Sequence, residues 1–271
     1  MHTALALLLV TVSLAAGNNA ADTILPPPRH GGVYVVAHRG AHNGIPENTL
    51  AAYRRAIELG ADFVEIDVRT TKDGRLVSVH NATVDAYVND STTGPVAGMT
   101  LEELRALDIG SRVGPEWAEE RIPTLEEILE LCKDRIGIYL DLKHGDVHQI
   151  LKLVRQYGME RHVLWYVGPR PFEQVREACP ECLPMPDPGP EALLPRMLER
   201  LQPQVVAAVW KHFSPSFVER CHAAGALVIV DESGASCWED ALARGADGIQ
   251  TDDPEALIGF LREREKSGGQ R

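Results

Sequence analysis

Positive charge is scarce in this sequence, and that scarcity excludes whole classes of partner. Its 27 Lys and Arg residues face 39 Asp and Glu, a formal net charge of −12 at pH 7. Nucleic acids and anionic membrane surfaces are bound by basic faces, so we expect no nucleic acid and no stable membrane insertion. Cysteine is also scarce. The chain has 5, and an odd number of this size is not a disulfide scaffold.

Long hydrophobic runs are missing outside the N-terminus. The run in MHTALALLLVTVSLAAGNNAAD is too short to span a bilayer, and small residues suited to cleavage follow it. Residues 1–21 therefore resemble a secretory signal peptide, which predicts an exported protein, periplasmic or extracellular. A membrane-retained or disordered N-terminus is the alternative.

Metal-binding cysteine pairs are absent as well. Cys179 and Cys182 form one CxxC, but no second pair or histidine cluster follows at zinc spacing. We expect either a local disulfide after export or plain packing for this pair.

What the sequence does contain is a regular alternation of short apolar runs and amphipathic helical patterns, in a chain that is 44% hydrophobic. Eight such units predict an α/β fold of the (β/α)8 TIM barrel type over residues 33–265, with 266–271 as a flexible tail. A doubly wound sheet is the alternative. The rhythm is interrupted at 81–122, which predicts a small insertion after the second strand. The candidate strands are 33–37, 62–68, 136–142, 162–167, 182–185, 204–210, 226–231 and 247–251.

Polar residues follow several of these strands, where a barrel builds its active site. His38 and Arg39 come at the end of the first strand. Glu65 and Asp67 lie two positions apart, so both point to one face, the barrel interior. His80 ends the short run GRLVSVH that follows the second strand. Asp141 and Lys143, again two positions apart, lie at the end of the third strand.

The residue types in this group predict phosphoryl-transfer chemistry. Three converging carboxylates, Glu65, Asp67 and Asp141, would repel one another unless a hard divalent cation, Mg²⁺ or Ca²⁺, bound between them. His38 and His80 can share proton transfer, one with the nucleophile and one with the leaving oxygen. Cationic side chains can then bind an anionic group; these are Arg39 and Lys143.

Several motifs closely resemble, in order and spacing, the glycerophosphodiester phosphodiesterase family. They are AHRG (37–40), PENT (46–49), EID (65–67), KDGRLVSVH (72–80), LDLK (140–143) and GADGIQTDDP (245–254). The resemblance implies a barrel enzyme that uses a divalent metal to cleave a phosphodiester into sn-glycerol 3-phosphate and an alcohol. It also implies that His38 and His80 are the catalytic pair, that Glu65 and Asp67 bind metal, and that Arg39 contacts phosphate.

The chain departs from the family pattern at several positions. Asp141 stands where Glu is usual and Asn81 where Asp is common. The Ser-Phe pair that the family usually has after the fourth strand is absent, and Trp165 and Tyr166 lie nearby instead. After the seventh strand, Asp231 and Glu232 stand where the family has an aromatic Trp-Thr stretch. We expect substrate specificity to be determined by Trp210, Lys211, Asp231 and Glu232.

Glu47 and Asn48 have two interpretations. They support or contact the substrate or metal, or Asn48 caps the following helix. The remaining histidines are predicted to be structural; they include His42, His144, His162 and His222.

The predicted activity is metal-dependent hydrolysis of a small-molecule glycerophosphodiester. One alternative is phospholipase D-like cleavage of sphingomyelin or lysophospholipid in the same fold. Another is a noncatalytic barrel that binds a phosphorylated ligand. The sequence does not determine the oligomeric state.

Overall fold

A computed structural model describes residues 24–268, and its central feature is a barrel of eight parallel strands. The strands coincide with all eight candidates from the sequence. They are β1 (Tyr34–Ala37), β2 (Phe63–Thr70), β4 (Gly137–Leu142), β5 (Val163–Tyr166), β6 (Leu183–Met185), β7 (Val205–Val209), β8 (Leu227–Asp231) and β9 (Gly248–Thr251). A short ninth strand, β3 (Leu76–Ser78), pairs antiparallel with β2.

The strand order is that of a nearly closed barrel. It runs β6-β5-β4-β2-β1-β9-β8-β7, so the first and last strands of the chain are neighbours. Between β6 and β7 the backbone N–H of Ala207 donates to the carbonyl of Pro186 at 3.1 Å. The predicted (β/α)8 barrel is confirmed, and the doubly wound alternative is wrong because β1 pairs with β9.

Helices cover the outside of the barrel. Side-chain caps start many of them: Thr49 accepts from the backbone of Ala52, and Thr124 forms a reciprocal capping box with Glu127. The helices are α1 (Leu50–Leu59), α2 (Leu101–Arg105), α3 (Leu125–Cys132), α4 (Val147–Gln156), α5 (Pro169–Ala178), α6 (Leu194–Leu201), α7 (Pro215–Ala223), α8 (Trp238–Ala243) and α9 (Pro254–Gly268).

The alternation of side chains along β2 shows how the barrel places polar groups inside. Val64, Ile66 and Val68 pack outward against the helices, in the large core between sheet and helices. Each such burial stabilises the fold by about 1.5–3 kcal/mol. Glu65 and Asp67 alternate with them and point inward, as predicted. The lower interior is filled by a separate apolar cluster that includes Phe63, so the polar groups collect at the upper mouth.

The predicted insertion at 81–122 contains α2 and a small hydrophobic cluster of its own. Its members are buried side chains such as Val84, Tyr87 and Leu104. The indole N–H of Trp117 donates to the carbonyl of Gly44 at 2.9 Å, so this segment contacts the loop between β1 and α1. It therefore lies beside the mouth of the barrel.

Several further features bear on the sequence-based expectations. Cys179 and Cys182 form a disulfide, and the other three cysteines are buried and free. Helix α9 continues through Gly268, so the first residues of the predicted tail are helical. The predicted signal peptide lies outside the described residues. Within 24–268, no helix has the length and apolarity needed to cross a membrane.

Candidate active site

The carboxyl ends of the barrel strands surround a cavity of about 260 Å³. Most of the predicted catalytic residues line this cavity, and each of the eight barrel strands contributes to it, either directly or through the residues just after the strand. The polar and aromatic lining consists of His38, Arg39, Glu65, His80, Tyr139, Asp141, Lys143, Tyr166, Asp187, Asp231 and Gln250. A second cavity of about 200 Å³ lies at the opposite end of the barrel, but its walls are largely apolar and hold none of these groups.

Three carboxylates meet at one side of the cavity. Glu65, Asp67 and Asp141 each offer an oxygen, and these oxygens lie within 4.8 Å of one another. Burial, together with repulsion from Asp67 and Asp141, raises the pKa of Glu65 well above its ordinary value. Asp67 is 1% exposed, and its Oδ1 forms no hydrogen bond apart from a long contact with Lys143 Nζ at 3.3 Å. Crowded, buried, incompletely bonded carboxylates fit the requirements of a hard divalent cation.

Two cationic side chains flank the carboxylates. Lys143 Nζ lies 2.6 Å from Asp141 Oδ2 and 3.3 Å from Asp67 Oδ1. Arg39 Nη1 donates to Glu47 Oε1 at 3.2 Å, and its Nε lies 3.8 Å from Asp67 Oδ2. Burial alone would lower the pKa of both cations, but the neighbouring carboxylates raise it. Both side chains are therefore positively charged and directed at the acidic group.

The backbone at Arg39 positions one of these carboxylates. Arg39 has a φ of 54°, in the left-handed region that few non-glycine residues adopt. In this conformation its N–H donates to Glu65 Oε2 at 2.8 Å. The turn after β1 thus fixes Glu65 while it delivers the guanidinium to the cavity.

Asn48 lies behind the carboxylates and holds one of them. Its side-chain amide donates to Asp67 Oδ2 at 2.7 Å, and its Oδ1 accepts from Tyr53 and Ser78 at 2.9 and 2.7 Å. Asn48 is 3% exposed, so it supports Asp67 from inside the protein. The interpretation of Asn48 as a helix cap is wrong, since Thr49 caps α1.

His38 is held by an acidic residue that follows the last strand. Its Nδ1 lies 2.7 Å from Asp252 Oδ1, and His42 Nε2 lies 3.2 Å from the same oxygen. These two hydrogen bonds hold the pKa of Asp252 well below its ordinary value, so the carboxylate accepts from both rings. His38 therefore carries its proton on Nδ1 and has Nε2 free for chemistry.

His80 has an equivalent but neutral partner. Its Nδ1 lies 3.0 Å from Asn81 Oδ1, which accepts the hydrogen bond. The guanidinium of Arg69 binds the carbonyl of His80 at 2.7 Å and fixes the backbone there. Both imidazoles thus line one cavity with Nδ1 occupied. Asn81, which departs from the family pattern, still orients the ring.

The predicted specificity residues have different locations. Asp231 lines the cavity, and its carboxylate accepts from Gln250 Nε2 at 3.1 Å. Trp210 packs instead against Arg244 and Phe213, and Lys211 is exposed beside it. Glu232 accepts from Thr251 Oγ1 at 2.5 Å. None of the last three is part of the cavity lining.

The sequence pattern does not mark Asp252, Asp187 or Gln250 as site residues. A signal for Asp252 is nevertheless present, because this residue directly follows the last strand and polar residues at strand ends are candidates for the active site. Asp187 follows β6, which has only three residues, so the sequence marks its end poorly. Gln250 is an uncharged residue inside a strand, and nothing in its type predicts a site.

Comparison with known proteins agrees with this geometry. Residues 38–168 match the model of the glycerophosphoryl diester phosphodiesterase family. A glycerophosphodiester phosphodiesterase from Caldanaerobacter subterraneus subsp. tengcongensis is 35% identical over 247 residues, which cover 84% of this chain and 97% of the relative.

Two solved structures have the same fold. A glycerophosphodiester phosphodiesterase from Agrobacterium tumefaciens is 28% identical, covers 83% of this chain and 99% of its own, and has a TM-score of 0.73. A phosphodiesterase from Oleispira antarctica, solved with the product sn-glycerol 3-phosphate, is 27% identical, covers 85% and 96%, and has a TM-score of 0.77. The chain belongs to the glycerophosphodiester phosphodiesterase family.

Proposed function

We propose that the protein hydrolyses glycerophosphodiesters to sn-glycerol 3-phosphate and an alcohol. The observation that carries this proposal is the cavity in which two oriented imidazoles face three crowded carboxylates and two cations. The relatives named above are glycerophosphodiester phosphodiesterases, and the product is bound in one homologous phosphodiesterase.

The acidic group is suited to hold one divalent cation, which we propose is Mg²⁺ or Ca²⁺. Glu65, Asp67 and Asp141 supply only oxygen ligands, which these cations prefer over nitrogen and sulfur. When bound, the cation supplies positive charge that stabilises the charge on the phosphate oxygens in the transition state. Arg39 and Lys143 add to that charge and orient the phosphate.

His38 and His80 perform the proton transfers. One imidazole removes a proton from the nucleophile that attacks phosphorus, and the other gives a proton to the alcohol oxygen as its bond to phosphorus breaks. Asp252 keeps the Nδ1–H of His38 directed away from the cavity and stabilises the ring when it is protonated. Asn81 likewise accepts a hydrogen bond from Nδ1–H of His80 and orients the ring, but it adds no charge.

The test is an assay of glycerol 3-phosphate release from a panel of glycerophosphodiesters with Mg²⁺, Ca²⁺ or Mn²⁺, with and without EDTA. We expect EDTA-sensitive turnover, and a decrease of about 10²- to 10⁴-fold in His38→Ala and in His80→Ala. His148→Ala, an exposed position on α4, is the matched control. Full turnover in the double variant His38→Ala, His80→Ala would rule out the proposed roles.

The exposed surface argues against the lipid alternative. An enzyme that acts on sphingomyelin or lysophospholipid micelles needs an apolar rim around its mouth. Within residues 24–268, the large hydrophobic side chains that are exposed are Val113 and Leu193, on separate segments. Water-soluble diesters are therefore the substrates that the surface suits.

We also propose that the protein is exported after removal of residues 1–21. The apolar run and the small residues after it support this proposal. Expression of the full sequence, followed by N-terminal sequencing of protein recovered outside the cytoplasm, tests it. A cytoplasmic product that still begins at Met1 would contradict it.

A further inference from the structure

The cavity has a second acidic wall that the proposed chemistry does not use. Asp187, after β6, and Asp231, at the end of β8, both line the cavity. The carboxylates of the first wall have cationic partners, since Asp67 and Asp141 lie near Lys143. In the part of the chain that the structure describes, neither Asp187 nor Asp231 forms an ion pair.

Neutral groups hold both of these carboxylates in place. Asp187 Oδ1 accepts from the backbone N–H of Gly189 at 2.6 Å, and its Oδ2 accepts from the hydroxyl of Tyr166 at 3.3 Å. Asp231 accepts from Gln250 Nε2. Burial raises the pKa of Asp231, a cost that a bound cation would relieve. The wall is thus preorganised and has no ion pair within the described residues, although the nearby His38 and Arg39 favour the charged form of Asp231.

A buried amide in the same wall has an unused acceptor. Gln250 is 7% exposed and lines the cavity, and its Oε1 has no hydrogen-bond partner. Because Nε2 donates to Asp231, the amide is oriented and Oε1 is left as an acceptor. Unsatisfied buried acceptors are rare and indicate a missing donor. The bound group that would satisfy Gln250 must therefore carry an N–H or O–H.

Two aromatic rings complete the wall. Tyr139 and Tyr166 both line the cavity, and their ring centroids are 5.8 Å apart. Aromatic faces beside carboxylates are a typical environment for organic ammonium groups. A second inorganic cation suits the wall less well. Within residues 24–268, the group of three or more possible ligands at metal-binding distance is the acidic triad, which does not include Asp187 or Asp231.

We propose that this wall, formed by Asp187, Asp231, Gln250 and Tyr166, selects glycerophosphodiesters whose alcohol carries a protonated amine. The inference rests on the proposed function and names the substrate class of the same site. The amine N–H groups satisfy Gln250 Oε1 and compensate the two carboxylates, whereas a neutral polyol would supply only hydroxyl donors. The hydrolysis itself is unchanged, and the amino alcohol leaves with the proton that a histidine gives it.

The experiment compares kcat/KM for glycerophosphoethanolamine and for glycerophosphoglycerol at pH 8, in the metal that gives the highest turnover. We expect the ethanolamine diester to be preferred by about 10- to 100-fold, which lies between the factors expected for unit charges a few ångströms apart in water and near a protein surface. In Asp231→Asn and in Asp187→Asn the preference should decrease about tenfold each.

Glu232→Gln is the matched control, because it removes a carboxylate next to Asp231 that does not line the cavity. It should keep the preference of the unmodified protein. Should Asp231→Asn fail to fold, Asp187→Asn carries the test from a different strand. Equal kcat/KM for the two diesters, or an unchanged preference in both Asp variants, would overturn the inference. Absence of turnover with every diester would instead overturn the proposed function.

Discussion

The acidic residues in the two halves of the barrel mouth have different kinds of bonding partner. On the side of β1, β2 and β4, Asp67 and Asp141 lie against Lys143 or Arg39, and Asn48 supports Asp67 from behind. On the side of β6 and β8, Asp187 and Asp231 are bonded only to neutral donors. The acidic residues Asp67 and Asp141 of the first half form ion pairs, whereas within the described residues Asp187 and Asp231 of the second half form none.

From this difference we expect the first half to carry out the hydrolysis and the second half to select the substrate. Paired and buried charges hold their geometry without substrate, and removal of one partner leaves the other uncompensated, at a cost of about 3–5 kcal/mol. When a charge bonded only to neutral donors is replaced, no charged partner is left uncompensated. The first half should therefore respond to a change by loss of turnover, and the second by altered selectivity.

The strongest test of the comparison is Asp67→Asn. Since this carboxylate contacts Arg39, Lys143 and Asn48 and belongs to the acidic triad, we expect turnover to fall more than about 100-fold. The variant should also lose the thermal stabilisation that saturating Mg²⁺ or Ca²⁺ gives, about 2.7 kcal/mol at a hundredfold excess over Kd.

Asp187→Asn, in the other half, is the counterpart. Its melting temperature should still rise with the metal, as measured by calorimetry. A metal-dependent shift of equal size in Asp67→Asn would break the proposed division between the two halves.

Asp252→Asn tests whether the last strand belongs functionally to the first half. The amide keeps the hydrogen bond to His38 but removes the negative charge that stabilises its protonated ring, so kcat should fall about 10- to 100-fold with little change in KM. Steady-state kinetics at several pH values provide the measurement.

His42→Gln removes the other partner of Asp252 and serves as the control, with an expected effect under about threefold, since the bond from Asp252 to His38 remains. A parallel increase in KM alone would show that Asp252 acts on substrate binding instead.

The two halves also differ in how far the sequence predicts them. Along β2, the strict alternation of side chains predicts that Glu65 and Asp67 point into the barrel, because Val64 and Val68 point outward and pack against the helices. The second half offered no such pattern. Ala207 and Ala208 in β7 are small, β6 is three residues long, and Gln250 is an ordinary polar residue until the structure shows its free Oε1.

Long-range contacts account for the remaining omissions. The bond from Asp252 to His38 joins residues 214 positions apart, and no local pattern encodes it. The sequence likewise could not show that Trp210 would stack on Arg244 instead of facing the cavity, since both orientations follow a strand end. Local periodicity therefore predicts which face a side chain occupies, whereas pairing across the barrel depends on its closure.

Tyr53→Phe sharpens the comparison on the stability scale. The buried hydroxyl of Tyr53 donates to Asn48 Oδ1 at 2.9 Å and also contacts Ser78, so it supports the first half from below. Its removal should reduce the free energy of unfolding by about 0.5–1.5 kcal/mol. Chemical denaturation measures this, with the partly exposed Tyr157→Phe as control. No loss of stability would show that Ser78 alone is sufficient to hold Asn48.

The smallest expected effect concerns Glu232, beside the second acidic wall. Burial, together with repulsion from Asp252 and Asp231, raises the pKa of Glu232 from 4.5 to about 7, although a hydrogen bond from Thr251 opposes the shift. The folded chain therefore binds more protons than the unfolded chain between these values. Stability contributed by this group is present below pH 4.5 and is lost as pH rises through 7.

Glu232→Gln should remove this dependence, so that its stability relative to the unmodified protein increases between pH 4.5 and 7. Because the side chain is partly exposed, screening limits the gain to about 1 kcal/mol. Urea titrations at closely spaced pH values measure it, and Glu219→Gln, an exposed carboxylate on α7, is the control. If Glu232→Gln followed the pH dependence of Glu219→Gln, uncompensated charge in the second half would cost the fold nothing, and the contrast between the halves would be one of function alone.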